Sequence, residues 1–68
     1  MYISEMLRLI DEITLERAIE ILDEEFGLDD FEKDRFREYS EMNIYNSKGK
    51  EIASAWYHPE EEALYIWY

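Results

Sequence analysis

Residues 41–68 read EMNIYNSKGKEIASAWYHPEEEALYIWY, and the fold turns on how this stretch pairs with itself. From about Phe36 the apolar period is two. Met42 and Ile44 alternate with Glu41 and Asn43, the pattern of a strand with one face in the core and one in water. Asn46-Ser47-Lys48-Gly49 has type I turn chemistry, with Gly49 free to take positive φ and close a three-residue hairpin loop. Lys50 to Tyr57 has strand composition, His58-Pro59-Glu60-Glu61 reads as a second turn, and Ala63 to Tyr68 reads as a third strand. A loop at Ser47 to Gly49 pairs Asn46 with Lys50, which sets Ile44 opposite Ile52 and Met42 opposite Ser54. With Trp56 against Leu64, the core face then gathers Met42, Ile44, Ile52, Trp56, Leu64 and Ile66. The outer face collects Tyr39, Tyr45, Tyr57, Tyr65 and Trp67, with Ala53, Ala55, Glu41, Asn43 and Glu51 among them. A slip of one residue would exchange the two faces, so the register is a sharp commitment.

Upstream the period changes to that of a helix. From Thr14, apolar Leu15, Ala18, Ile19, Leu22 and Phe26 recur at spacings of three and four, Thr14 is placed to cap the N-terminus, and Gly27 is placed to end it. Ser4 suggests a shorter helix over Glu5 to about Glu12, burying Met6, Leu7 and Ile10. Leu28 to Arg37 is ambiguous: Asp29 or Asp30 can cap a short third helix with Phe31 and Phe36 as its apolar contacts. The expected architecture is one α+β domain with two or three N-terminal helices packed on a three-stranded antiparallel β-meander. Its helical part spans about 3–36 and its meander about 37–68. Sixty-eight residues suffice for one domain, burying only about 60% of the surface of the unfolded chain, with little room for an enclosed active site.

Charge narrows the function. Eighteen acids against seven bases give −11, and residues 1–30 hold ten of those acids against Arg8 and Arg17 alone, a net of −8. A nucleic-acid binder gains affinity by releasing counterions through Lys and Arg, so direct binding to nucleic acid is excluded as a main activity, and anionic membranes repel the chain likewise. A basic protein surface would attract it. With no cysteine there is neither a disulfide framework nor a thiolate metal site, and no apolar stretch approaches the roughly 20 residues of a membrane span. The N-terminus lacks the basic region and apolar run of a leader, so a soluble, unprocessed, cytosolic protein is expected.

Catalytic and metal-binding motifs are not apparent. His58 beside Glu60, Glu61 and Glu62 is a single imidazole among loop carboxylates, a poor ligand set. Asp29, Asp30 and Asp34 lack the alternating oxygens, central glycine and terminal glutamate of a calcium loop. No nucleophile elbow surrounds any serine, and no glycine-rich phosphate loop is present. A non-enzymatic chain without a cofactor is therefore expected.

Recognition remains. Glu16, Glu20 and Glu24 stand one helical turn apart with Asp23 beside them, and Glu12 extends the row. Such a row advances ~6 Å per step against ~3.4 Å per phosphate on a DNA strand, so it approximates alternate phosphates and suits a basic groove. Tyrosine and tryptophan on the outer sheet face offer apolar contact with polar tips, the composition of protein interfaces. The plain alternatives are a solvated helix face, strand propensity of tyrosine, or a homodimer through that face.

In size, acidity, aromatic content and absence of cysteine, the whole chain resembles phage-encoded inhibitors of host nucleic-acid machinery: anti-CRISPR proteins, uracil-DNA glycosylase inhibitors and anti-restriction proteins. The resemblance implies stoichiometric binding, in a host cytosol, to a nucleic-acid-binding effector with a basic surface. Its acidic face would be Glu12, Glu16, Glu20, Asp23 and Glu24, and its aromatic face Tyr39, Tyr45, Tyr57, Tyr65 and Trp67. The alternative is a small structural or regulatory subunit that self-associates through the aromatic face.

Overall fold

The computed structural model describes residues 7–68. In chain order these form β1 (Leu7–Ile10), α1 (Leu15–Phe26), α2 (Asp30–Tyr39), β2 (Glu41–Tyr45), β3 (Glu51–His58) and β4 (Ala63–Trp67). The architecture is α+β, with the four strands in one antiparallel sheet of order β1-β4-β3-β2. This corrects the expected three-stranded meander with N-terminal helices: a strand precedes the helices, and both helices are inserted between β1 and β2. The helix expected over Glu5 to Glu12 is replaced from Leu7 onward by β1, while Ser4, Glu5 and Met6 lie outside the described residues. A short segment gains little from a helical nucleus, whereas pairing Leu7 with Trp67 and Ile10 with Leu64 closes an otherwise open edge of β4.

The helices start and stop where local chemistry dictates. Thr14 Oγ1 accepts from Arg17 N at 3.1 Å, and Gly27, at φ 72°, donates its N–H to Asp23 O at 2.8 Å. At α2 the ambiguity is resolved by a reciprocal capping box: Glu32 N donates to Asp29 Oδ1 at 2.8 Å, and Asp29 N donates to Glu32 Oε1 at 3.0 Å. This helix runs on to Tyr39, so β2 begins only at Glu41. Phe36 is fully buried, but Phe31 stays 67% exposed, contrary to its expected packing, with the Arg35 guanidinium 5.7 Å from its ring centre.

The first hairpin forms as its turn residues require. Asn46 N donates to Lys50 O at 2.9 Å, and Asn46 Oδ1 accepts from both Lys48 N and Lys50 N. Tyr45 lies opposite Glu51, but the register then shifts between Ile44 and Tyr45, so Ile44 pairs with Ala53 and Met42 with Ala55. That irregularity reverses β3. Ile52 and Trp56, expected inside, face outward, while Ala53, Ala55 and Tyr57 turn into the core. The second hairpin keeps the new phase, with Tyr57 opposite Leu64 and Ala55 opposite Ile66. The physical reason is volume. Phe36 and Leu22 already fill the narrow space above the sheet, so the central strand presents two alanines there and leaves tryptophan outside.

Tyr57 also explains itself by its polar end. Its hydroxyl donates to Ile13 O at 2.8 Å, and its backbone N–H donates to Ser40 O at 2.8 Å, which ties β3 to the β1–α1 connection and to the end of α2. Both helices cover this inner side; every buried helical residue belongs to the same cluster as Ile44, Leu64 and Ile66.

The register makes opposite demands on neighbouring positions. Ala55→Lys should abolish cooperative urea unfolding, because an unpaired buried ammonium costs several kcal/mol against a total stability of about 3–10 kcal/mol for this length. Ile52→Lys should keep the transition within about 1 kcal/mol of the parent. The reverse pattern would restore the uninterrupted register.

Candidate protein-binding face

The inner face of the sheet is occupied by helices, and the outer face is left to its own side chains. Backbone pairing arranges these in cross-strand rows. One row runs Glu41, Trp56, Tyr65, Leu9, and the next runs Asn43, Ser54, Trp67, Leu7. Trp56 and Tyr65 rings lie 5.4 Å apart between centres, and Tyr65 and Trp67 lie 5.9 Å apart with planes 15° from parallel. His58 meets the Trp56 ring edge-on at 5.1 Å. Leu7, Leu9 and Ile52 flank this aromatic run and are each about half exposed or slightly less, at 53%, 50% and 42%. Contiguous apolar exposure of this kind marks interaction surfaces.

Where the small residues Asn43 and Ser54 lie alongside Trp56 and Trp67, the surface dips into a groove of about 610 Å³. Arg35 and Tyr39 of α2 close its far side, with the Arg35 guanidinium 5.2 Å from the Tyr39 ring centre. Tyr39 thus belongs to the helix end and not to the sheet face, a correction to the expected aromatic set. A second correction is Tyr57, which is 4% exposed and points away from any partner. Tyr45 is exposed at the hairpin end of β2, and Tyr65 and Trp67 are on the outer face as expected. Trp56 joins them in place of Tyr57.

The acidic helix row looks different in three dimensions. Glu12 is not helical; it sits in the β1–α1 connection with φ 59°. Glu16 is gripped by Arg37, whose Nε and Nη2 donate to its two oxygens at 2.6 and 3.0 Å, and that pairing lowers the Glu16 pKa from its ordinary 4.5. Arg17 reaches Glu20 at 2.9 Å and Glu24 at 3.9 Å, and Lys33 reaches Asp23 at 3.3 Å. Each member of the row on α1 therefore has a cation beside it, and the expected bare, phosphate-like ladder is locally offset. Such exposed pairs add little stability, but they do cancel field.

Uncompensated charge gathers elsewhere. At one end of the sheet the β1–α1 connection carries Asp11 and Glu12, the β3–β4 turn carries Glu60, Glu61 and Glu62, and Ile13 N donates to Glu62 O at 3.0 Å to join the two. Among the described residues none of these five carboxylates forms an ion pair. Lys48 and Lys50 lie in the β2–β3 hairpin, at the opposite end of the strands. Tyr65 marks the boundary between acid and aromatic: its hydroxyl donates to Glu61, and that bond, with burial and the charges of Glu61 and Asp11, raises its pKa above 10.0. The phenol is a proton donor throughout the neutral range.

His58 Nδ1 accepts from Glu61 N at 3.3 Å, so that nitrogen already serves the turn. Among the described residues no group of three His, Cys, Asp or Glu is arranged to hold a metal ion, and no helix is long and apolar enough to cross a membrane. No family model, characterised protein or solved structure matches the chain.

Sequence reasoning missed Trp56, Leu7, Leu9, Asp11 and Glu61 as surface candidates. The available signal was Ala53-Ser54-Ala55, a run whose small residues suit a close helix approach better than an open face.

The Glu16–Arg37 pair has a simple titration signature. Because the folded pKa is depressed, any stability from this pair is present above about pH 4.5 and is lost as pH falls through the lower folded value. In a carboxylate NMR titration, Glu16 should show a midpoint below 4.5, and Arg37→Gln should move it back up. An unchanged midpoint in that variant would remove the pairing.

Proposed function

We propose that the chain is a non-enzymatic protein-binding module that docks its outer sheet face and the adjoining acidic end on a basic surface of a partner protein. The observation that carries this reading is the juxtaposition of an exposed aromatic run, Trp56, Tyr65 and Trp67, with five carboxylates that form no ion pair among the described residues. Aromatic side chains provide the desolvated contact, and the carboxylates steer the approach and select for positive charge. An overall charge of −11 argues that the partner surface is one built for nucleic acid, since such surfaces combine high positive charge with grooves. The chain would then act as a stoichiometric inhibitor of the anti-CRISPR or anti-restriction kind, occupying that surface without contacting nucleic acid.

A second reading, self-association through the same face as a structural or regulatory subunit, is favoured by exposed Leu7 and Leu9 on the edge strand β1. Repulsion between two chains of −11 opposes it.

The test is capture from a lysate of the source cell at ~100 mM salt, where exposed charge is screened over about 10 Å, followed by assay of the captured protein. Its nucleic-acid binding should fall in proportion to added chain until one equivalent is present. Replacing Glu60, Glu61 and Glu62 by Gln should relieve the inhibition, while replacing Glu20 and Glu24 by Gln should leave most of it. Undiminished nucleic-acid binding by every captured protein, with the chain sedimenting as a dimer, would favour self-association instead.

A further inference from the structure

We infer that the Trp56–Tyr65 surface is an arginine-reading subsite, selective for guanidinium over ammonium, on the face assigned above; the inference rests on that reading and sharpens it to a partner chemistry. Four residues close a ring of contacts there. Glu61 N donates to His58 Nδ1, the His58 ring abuts Trp56, Trp56 lies against Tyr65, and the Tyr65 hydroxyl donates to Glu61. Each member holds the next, so the aromatic faces and the carboxylate are positioned before any ligand arrives.

The chemistry of that ring fits a planar cation. The Trp56 and Tyr65 centres are 5.4 Å apart, too close to admit a flat group between them given contact distances of ~3.5 Å on each side. A guanidinium must therefore lie on their solvent side, against the parts of the electron-rich ring faces that their offset leaves uncovered. Glu61 uses Oε1 for the Tyr65 hydroxyl and has Oε2 left over, and Asp11 bears on the same phenol by its charge. A stacked guanidinium can extend its fork of N–H donors to Glu61 Oε2 while remaining on the rings, with the Asp11 charge adding to the field. A lysine ammonium carries a compact, strongly hydrated charge and cannot make both contacts at once. Glu41, at the other end of the same cross-strand row, extends the acidic border. Arg35 lines the groove that Trp56 and Trp67 share and disfavours a second cation in it, which places the subsite outside that groove, on the Tyr65 side of Trp56. The occupant is thus an arginine side chain from a basic partner segment.

The measurement uses two labelled nonapeptides of equal charge, one with three arginines and one with three lysines in a Gly-Ser background, titrated with the full chain by fluorescence anisotropy. The arginine peptide should bind about fivefold to tenfold more tightly than the lysine peptide, as expected of a partly desolvated cation–π contact. Trp56→Thr should bring the ratio close to one. Glu61→Gln, an exposed change in a turn, should lower it as well and serves if the first variant does not fold. Equal affinity of the parent chain for both peptides overturns the arginine subsite while leaving the basic-partner reading intact. A preference that survives in both folded variants overturns the location. Failure of both peptides to bind overturns both proposals.

Discussion

One irregularity in backbone pairing governs this molecule. Between Ile44 and Tyr45 the β2–β3 ladder slips by a residue, and because side chains alternate across a sheet, that slip decides which half of β3 is core. It puts Ala53, Ala55 and Tyr57 under the helices and Ile52 and Trp56 in solvent. Two alanines at the centre of the sheet let Phe36 and Leu22 descend onto it, while the Tyr57 hydroxyl reaches across to Ile13 O. The same slip assembles Trp56, Tyr65 and Trp67 into one exposed run. The packed core and the exposed aromatic run are two sides of a single choice.

Electrostatics divides the surface in a way that net charge conceals. The chain has only seven cations, and Arg17, Lys33 and Arg37 are all spent on the acids of α1 and its neighbour Asp34. Arg8 pairs with Glu25, whose other oxygen accepts from the Tyr68 hydroxyl. Among the described residues eleven acids form no ion pair, and five of them, Asp11, Glu12, Glu60, Glu61 and Glu62, share the end of the sheet beside the aromatic run, the other six being spread over α2 and its N-cap, β2 and the start of β3. Exposed aromatic surface without charge invites indiscriminate association, and charge without apolar contact gives rate but little residence. Their juxtaposition supplies both.

Much of this architecture is legible in the sequence, and what is not has identifiable causes. The α1 helix can be read from Thr14 to Gly27 because cap, apolar period and terminator agree. The first turn is equally plain, since Asn46 and Gly49 have the chemistry it needs. β1 is not legible, because Leu7-Arg8-Leu9-Ile10 is too short to show a period and is strand only by virtue of pairing with β4. The slip at Ile44/Tyr45 also escapes sequence reading, as it carries no glycine to mark it. From that one residue follow the misplacement of Tyr57 as an exposed anchor and of Trp56 as a core residue. The acids of α1 could be found in sequence, but their partners Arg37 and Lys33 come from α2 and become visible only when the helices pack.

The proposed docking face is tested most directly by an amide and indole NMR map of the chain during addition of an arginine-bearing peptide. The indole N–H signals of Trp56 and Trp67 and the amides of Glu60 to Glu62 should move together while those of Glu16 to Glu24 stay in place. Movement confined to the α1 row, with both indoles unmoved, would contradict it.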